Sequence, residues 1–209
     1  MARPTGGNGN RSRTRRPEPS NLEMEELEIR FAGAAGQGIV LAARILSQTL
    51  SRDGKEVAQS QSYEPTSRGE TSRSDVVIGN GTLDYPLATQ LDVLVLLDEV
   101  GLGASSVPIK RGGMVLSDAK RVASPPVGDF TRHDFPFAEI ARALGNERAA
   151  NMVALGALAG LSGLCPKDSL EQTVRSETAK AFLDLNLRAV REGYRLGSSV
   201  KEDRPSSAP

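Results

Sequence analysis

Apolar positions along the chain change period several times, and each change marks an element. Leu27 to Ala32 reads as a first strand. Ile39, Ala43, Leu46 and Leu50 then recur at spacings of four, three and four, one face of a helix that Gly54 closes. Val57 to Tyr63 reads as a second strand and Asp75 to Ile78 as a third. Asp92 to Leu97 (DVLVLL) is a near-continuous apolar run, the signature of a strand buried on both faces. Gly112 and Gly113 precede Met114 to Ser117 (MVLS), a further strand. The C-terminal third predicts helices. Asn151 to Leu164 is rich in Ala, Leu and Gly, and Asp168 or Ser169 can cap a helix with Glu171 or Gln172 at the third position of a capping box. Leu183, Leu187, Val190 and Tyr194 stripe a last helix that stops at Gly197.

Strands alternating with helices imply right-handed crossovers and a mostly parallel sheet. The expected fold is one α/β, Rossmann-like domain over residues 27–197, its sheet flanked by helices and its C-terminal part helical. A chain of 209 residues suits a single core of this kind. Residues 1–26 open with Arg3, Arg11, Arg13, Arg15 and Arg16 among Gly, Asn, Pro and Ser, and are expected to form a disordered tail, as are residues 198–209. The arginine-rich tail lacks the aromatic interleaving of an RNA-binding segment and the amphipathic period of a transit peptide.

Composition narrows the function. Aromatic residues make up 4% and Trp is absent, so Val, Leu, Ile and Ala must build the core. The 26 basic and 26 acidic residues cancel, which removes any bulk attraction to nucleic acid or to a membrane surface. A lone cysteine, Cys165, forms no disulfide within the chain and supplies neither an iron–sulfur cluster nor a structural zinc site by itself. Nor does any group of residues have metal-ligand spacing. No apolar run reaches the roughly 20 residues that a membrane-spanning helix needs, and the expected location is cytoplasmic.

The stretch FAGAAGQGIV places Gly33, Gly36 and Gly38 between the first strand and its helix. In a doubly wound sheet this turn lines the crevice where ligands bind. Glycines let a ligand reach the backbone, and the N-terminus of the following helix offers N–H groups and partial positive charge to an anion such as phosphate. The spacing G-x-x-G-x-G is neither the dinucleotide nor the nucleoside-triphosphate fingerprint. A nicotinamide enzyme also needs an acid after the second strand, where Ala58 to Gln61 offers none. Tight packing of helix on strand explains the same glycines as well as anion binding does.

A second informative stretch, SYEPTSRGETSRSD, carries Tyr63, Arg68, Ser72, Arg73 and Ser74 between two expected strands. It reads either as a solvated loop or as a loop overhanging the glycine turn, with its arginines forked onto phosphate, a carboxylate or a partner subunit. The remaining candidates are weaker. His133 is the only histidine and has no nucleophile at a recognisable elbow, which favours a surface or packing role. Cys165 is expected to be buried and inert. Asp98 and Glu99 end the DVLVLL strand, where they either meet a ligand or cap the next segment. No catalytic residue is expected on this chain.

Four blocks, EIRFAGAAGQGIVLAARIL, QSQSYEPTSRGETSRSDVVI, LDYPLATQLDVLVLL and NERAANMVALGALAGLSG, resemble in order and spacing the gamma subunit of the 2-oxoacid:ferredoxin oxidoreductases. The C-terminal part is most similar to the 2-oxoglutarate version, with pyruvate and indolepyruvate versions as relatives. The resemblance implies a non-catalytic subunit of an enzyme that decarboxylates a 2-oxoacid oxidatively to an acyl-coenzyme A. Thiamine diphosphate, Mg²⁺ and the iron–sulfur clusters are then expected on alpha, beta and possible delta, ferredoxin-like, partner subunits, with ferredoxin accepting the electrons. Coenzyme A binding is the gamma part's expected contribution, through Gly33, Gly36, Gln37, Gly38, Tyr63, Arg68, Ser72, Arg73 and Ser74; a scaffold without a ligand is the alternative. Ala35 stands where the family often has Gly, and Glu70 where it has a second Gly after Gly69. If position 35 needs positive φ, Ala costs roughly 1 kcal/mol there. Glu70 would add repulsion beside a phosphate.

Overall fold

The computed structural model describes residues 26–66, 69–79, 87–104 and 107–202. Residues 1–25 and 203–209, most of the two expected tails, lie outside them. Six strands form one sheet in the order β2-β3-β1-β4-β5-β6. They are β1 (Leu27–Ala34), β2 (Glu56–Thr66), β3 (Gly69–Gly79), β4 (Leu91–Leu96), β5 (Ile109–Asp118) and β6 (Thr131–Phe135). The β1–β4, β4–β5 and β5–β6 pairs are parallel. The β1–β3 and β2–β3 pairs are antiparallel.

The supposed arginine loop is therefore mostly a hairpin. Residues 69–74 are already strand, and β3 runs back along β1 with Gly33 opposite Ser72 and Ala34 opposite Thr71. A run of polar side chains without apolar alternation reads as loop, and only pairing with β1 makes it a strand. Strand β6 was missed: TRHDF carries one large apolar residue at its end and sits at the sheet's edge.

Five α-helices are found among the described residues: α1 (Ile39–Arg52), α2 (Phe137–Ala143), α3 (Ala150–Ser162), α4 (Lys167–Glu177) and α5 (Leu183–Glu202); the short α2 is not among the four expected from the sequence. All contribute to one buried cluster with Ile29, Phe31, Val76, Val93 and Val95 of the sheet. The opposite face has a smaller cluster, Ala32, Leu94, Leu96 and Val115, covered by Val122, Leu102 and Phe130 from connecting segments. The α-helices thus cover one face of the sheet, which is not doubly wound, because a hairpin and connecting segments without α-helix replace the crossovers that would have laid α-helices on the other. That second face buries charge: the Arg30 guanidinium, 2% exposed, holds Asp75 through Nε–Oδ1 at 2.6 Å and Nη2–Oδ2 at 2.7 Å.

Two helix boundaries differ from expectation. The α4 capping box does not form: Pro166 occupies the cap position, and Ser169 Oγ instead donates to Asp53 Oδ1 at 2.9 Å. Helix α5 does not stop at Gly197 but runs on to Glu202. A Cβ at Gly193 or Gly197 would collide with Val153 O or Ala157 O of α3, and one at Gly156 or Gly160 with Val190 O or Tyr194 O of α5. These glycines let two helix backbones touch, so packing and not termination explains Gly197.

Candidate functional site

The glycine turn rises from the C-terminal end of β1 and delivers the chain into α1. Its glycines divide into two kinds. Gly33 is buried, with Gln37 Oε1 over one side and the 3-10 turn at Gly101 packed against its backbone on the other, so it is a packing glycine. Gly36 (φ 83°) and Gly38 (φ 73°) adopt the left-handed conformation that a turn of this shape requires. Gly36 is exposed and Gly38 half-buried. Gly38 is the cap residue of α1, whose first turn receives no side-chain cap and carries no acidic residue. First-turn amides of a helix have no partner within the helix, so this end presents donors and partial positive charge.

Ala35 corrects the expected cost of replacing Gly. No non-glycine residue among those described has positive φ, so Ala35 sits in an ordinary conformation, its N–H donating to Glu70 O at 2.9 Å. This bond pins the start of β3 to the rim of the turn. It brings the arginine stretch to the glycine edge, though by antiparallel pairing and not by the crossover topology assumed for it. Arg68 itself lies outside the described residues, and Tyr63 lies in β2 opposite Ser72. Ser72 and Ser74 are buried, and Ser74 Oγ donates to Ser60 O at 2.7 Å and accepts from Gln59 Nε2 at 3.0 Å. Neither residue is among those lining the two grooves beside the turn. Arg73 is half-buried in β3, opposite Ala32.

Gln37 is a strut. Its Oε1 accepts from Ala34 N at 2.8 Å while Nε2 donates to Asp98 Oδ2 at 3.3 Å, a pairing that fixes which end of the amide is which. Asp98 also accepts from Val100 N at 3.2 Å through Oδ1, so it caps the segment after β4 and reaches the turn at once. Asn151, at the start of α3, donates from Nδ2 to Gly38 O at 2.9 Å and accepts from Met152 N at 2.9 Å, which ties α1 to α3 beneath the turn.

The cations beside the turn come from a part of the chain that local pattern did not single out. A cleft of about 200 Å³ is lined by Gly36, Gln37, Leu97, Arg121, Glu147 and Arg148. A second groove, about 340 Å³, opens on the other side of Gly36 and Arg148 toward Leu41, Phe182 and Leu185. Buried Asp118, at the end of β5, sets the wall: Oδ1 accepts from Lys120 N and Arg121 N, each at 3.0 Å, and Oδ2 from Ala138 N at 2.7 Å. The Arg121 guanidinium bridges Asp98 Oδ2, at 3.2 Å, and Glu147, which Arg142 also holds at 2.7 Å. Hydrogen bonding from Arg121 first, then Arg142, keeps the Glu147 carboxyl below its ordinary range, and Glu147 in turn raises Arg121. Arg148 differs. It is exposed, Asn146 Oδ1 accepts from its backbone N–H at 3.0 Å, and its guanidinium has no carboxylate partner among the described residues. Asp118 ends a strand just as Asp98 does, a position that could have drawn notice; Arg121 and Arg148 carry no such local signal.

His133 stacks on Phe135 with ring centroids 5.8 Å apart, which suits packing. Cys165 is 3% exposed, and burial pushes its thiol up to about 12. Among the described residues no group of His, Cys, Asp and Glu is placed to hold a metal, and no helix is long and apolar enough to cross a membrane.

Comparison with known proteins agrees with this architecture. Residues 28–196 match the model of the pyruvate ferredoxin/flavodoxin oxidoreductase family. The 2-oxoglutarate synthase subunit KorC of Methanocaldococcus jannaschii is 37% identical over 83% of this chain and 95% of its own length. The crystal structure of the gamma subunit of a keto/oxoacid ferredoxin oxidoreductase from Geobacter sulfurreducens superposes with a TM-score of 0.72, at 36% identity over 83% of this chain and 99% of that one. A 2-oxoglutarate:ferredoxin oxidoreductase from Magnetococcus marinus shares the fold with a TM-score of 0.72 at 23% identity, over 83% of this chain and 31% of that longer one. By sequence and by fold, the chain belongs to the pyruvate ferredoxin/flavodoxin oxidoreductase family, among the gamma subunits of the 2-oxoacid:ferredoxin oxidoreductases.

Proposed function

We propose that this chain serves a cytoplasmic 2-oxoglutarate:ferredoxin oxidoreductase and contributes coenzyme A binding at the rim formed by Gly36, Gln37 and Gly38. The observation that carries the reading is the uncapped start of α1 beside Arg148, a guanidinium with no carboxylate partner among the described residues. Helix amides and an arginine fork together suit a phosphate, and coenzyme A carries three. The Magnetococcus protein is described with 2-oxoglutarate, coenzyme A and succinyl-CoA bound, but at 23% identity that likeness speaks for the fold. The substrate reading rests on KorC instead. Tyr63, Arg68 and Arg73 stay in the proposal as further contacts; Gly33 supports the turn from below.

In this reading the chain performs no bond chemistry. Thiamine diphosphate with Mg²⁺ and the iron–sulfur clusters reside on alpha, beta and, where present, delta subunits, and electrons leave to ferredoxin. The single buried Cys165, its thiol held protonated, agrees with redox centres placed elsewhere.

The complex reconstituted with its partner subunits and titrated calorimetrically with coenzyme A tests the reading. Replacing Arg148 by Ala weakens binding by about tenfold if it meets a phosphate, the worth of one charge-assisted contact. Unchanged affinity in an intact complex makes the subunit a scaffold. Turnover assays with 2-oxoglutarate, pyruvate and indolepyruvate decide the substrate, and turnover by this chain alone rejects the subunit role.

A further inference from the structure

Three side chains link the far wall of the cleft to the glycine turn. Arg121 Nη1 donates to Asp98 Oδ2 at 3.2 Å, Gln37 Nε2 donates to the same oxygen at 3.3 Å, and Gln37 Oε1 accepts from Ala34 N at 2.8 Å. Asp98 Oδ1 is engaged with Val100 N at 3.2 Å, so the carboxylate bridges the segment after β4 and the turn after β1. An acid in this place is unexpected, because a carboxylate beside a rim suited to anions repels them. An acid here makes sense if it holds Gln37 and if its charge is offset.

We propose that Asp98 is a positioning residue for the glycine turn, acting through Gln37, and that Arg121 fixes the Asp98 carboxylate and cancels its charge beside the anion cleft. Arg121 is itself set in place from both ends: its backbone N–H lies on Asp118, and its guanidinium also reaches Glu147. Neither residue need touch the ligand. The turn keeps its shape because the Gln37 amide is held at both ends, and Gly36 to Gly38 then present amides to the cleft. The charge-cancelling half rests on the coenzyme A reading; the positioning half does not.

Two measurements test these halves separately. Amide hydrogen exchange on the full chain reads the Ala34 N–H, the group that Gln37 holds. Asp98→Ala removes the acceptor for Gln37 and speeds this exchange roughly fivefold, the effect of losing one hydrogen bond. Asp98→Asn keeps an acceptor oxygen and restores slow exchange. Equal exchange in Asp98→Ala and the unaltered chain overturns the positioning role, and so does fast exchange in both variants. In the reconstituted complex, Arg121→Ala weakens coenzyme A by about tenfold through the exposed charge of Asp98, and adding Asp98→Asn recovers most of the loss. A double variant as weak as Arg121→Ala overturns the charge-cancelling role of Arg121 toward Asp98. If the unaltered complex takes up no coenzyme A, the ligand reading falls together with that half, while the exchange experiment still decides the other.

Discussion

Gly36 and Gly38 share a backbone conformation and differ in surroundings, so one substitution at each separates strain from collision. At Gly36 a Cβ meets nothing within 4 Å. Gly36→Ala therefore costs only the left-handed conformation, about 1 kcal/mol. At Gly38 a Cβ runs into the Asn151 side chain, whose Nδ2 holds Gly38 O at 2.9 Å. Gly38→Ala adds that lost bond to the same strain and costs about 2–3 kcal/mol. Urea unfolding with an unchanged slope measures both, and equal losses would contradict the clamp by Asn151. Ala35, one residue earlier, shows the converse: its ordinary conformation carries a side chain without strain.

The pairing of α3 with α5 depends on four glycines whose missing side chains let backbone meet backbone. Gly156 faces Val190 O and the Tyr194 N–H, and Gly193 faces Val153 O. A methyl group here finds backbone and not a flexible side chain, so neither partner can yield without the helices separating. Gly156→Ala or Gly193→Ala is expected to lose about 2–3 kcal/mol, the upper range for overpacking, although alanine favours a helix by about 1 kcal/mol over glycine. A rise in the unfolding midpoint, the result that propensity alone predicts, would refute the close approach. The apolar stripe of α5 was readable as a helix; its length was not, because a glycine that ends a helix and one that seats a neighbour are the same residue in sequence.

Across the whole molecule, the helices gather on one face of the sheet and leave the other to connecting segments and to the ion pair of Arg30 with Asp75. Both side chains are almost fully buried, 2% and 5% exposed. Removing the carboxylate alone strands a buried positive charge, so Asp75→Ala is expected to lose about 3–5 kcal/mol in denaturant unfolding. The joint replacement Arg30→Met with Asp75→Leu costs far less, since two charges leave together. Comparable losses in the single and joint variants would mean that the pair's geometry, and not the uncompensated charge, matters.

Sequence alone determined the order of the strands and helices except β6 and α2, the helix face of α1, the inert cysteine, the place of the glycine turn and the family, because these depend on local period, composition and short blocks. It did not determine the hairpin of β2 and β3. The nearly unbroken polar run from Ser62 to Ser74 reads as loop until β1 supplies a pairing partner. Nor did it find Arg121 and Arg148, which lie more than 80 residues beyond the glycines in sequence and line one cleft with them in the fold. The physical reason is the same in both cases: hydrogen-bond pairing and charge compensation join residues distant along the chain, and only the folded sheet brings those partners within reach.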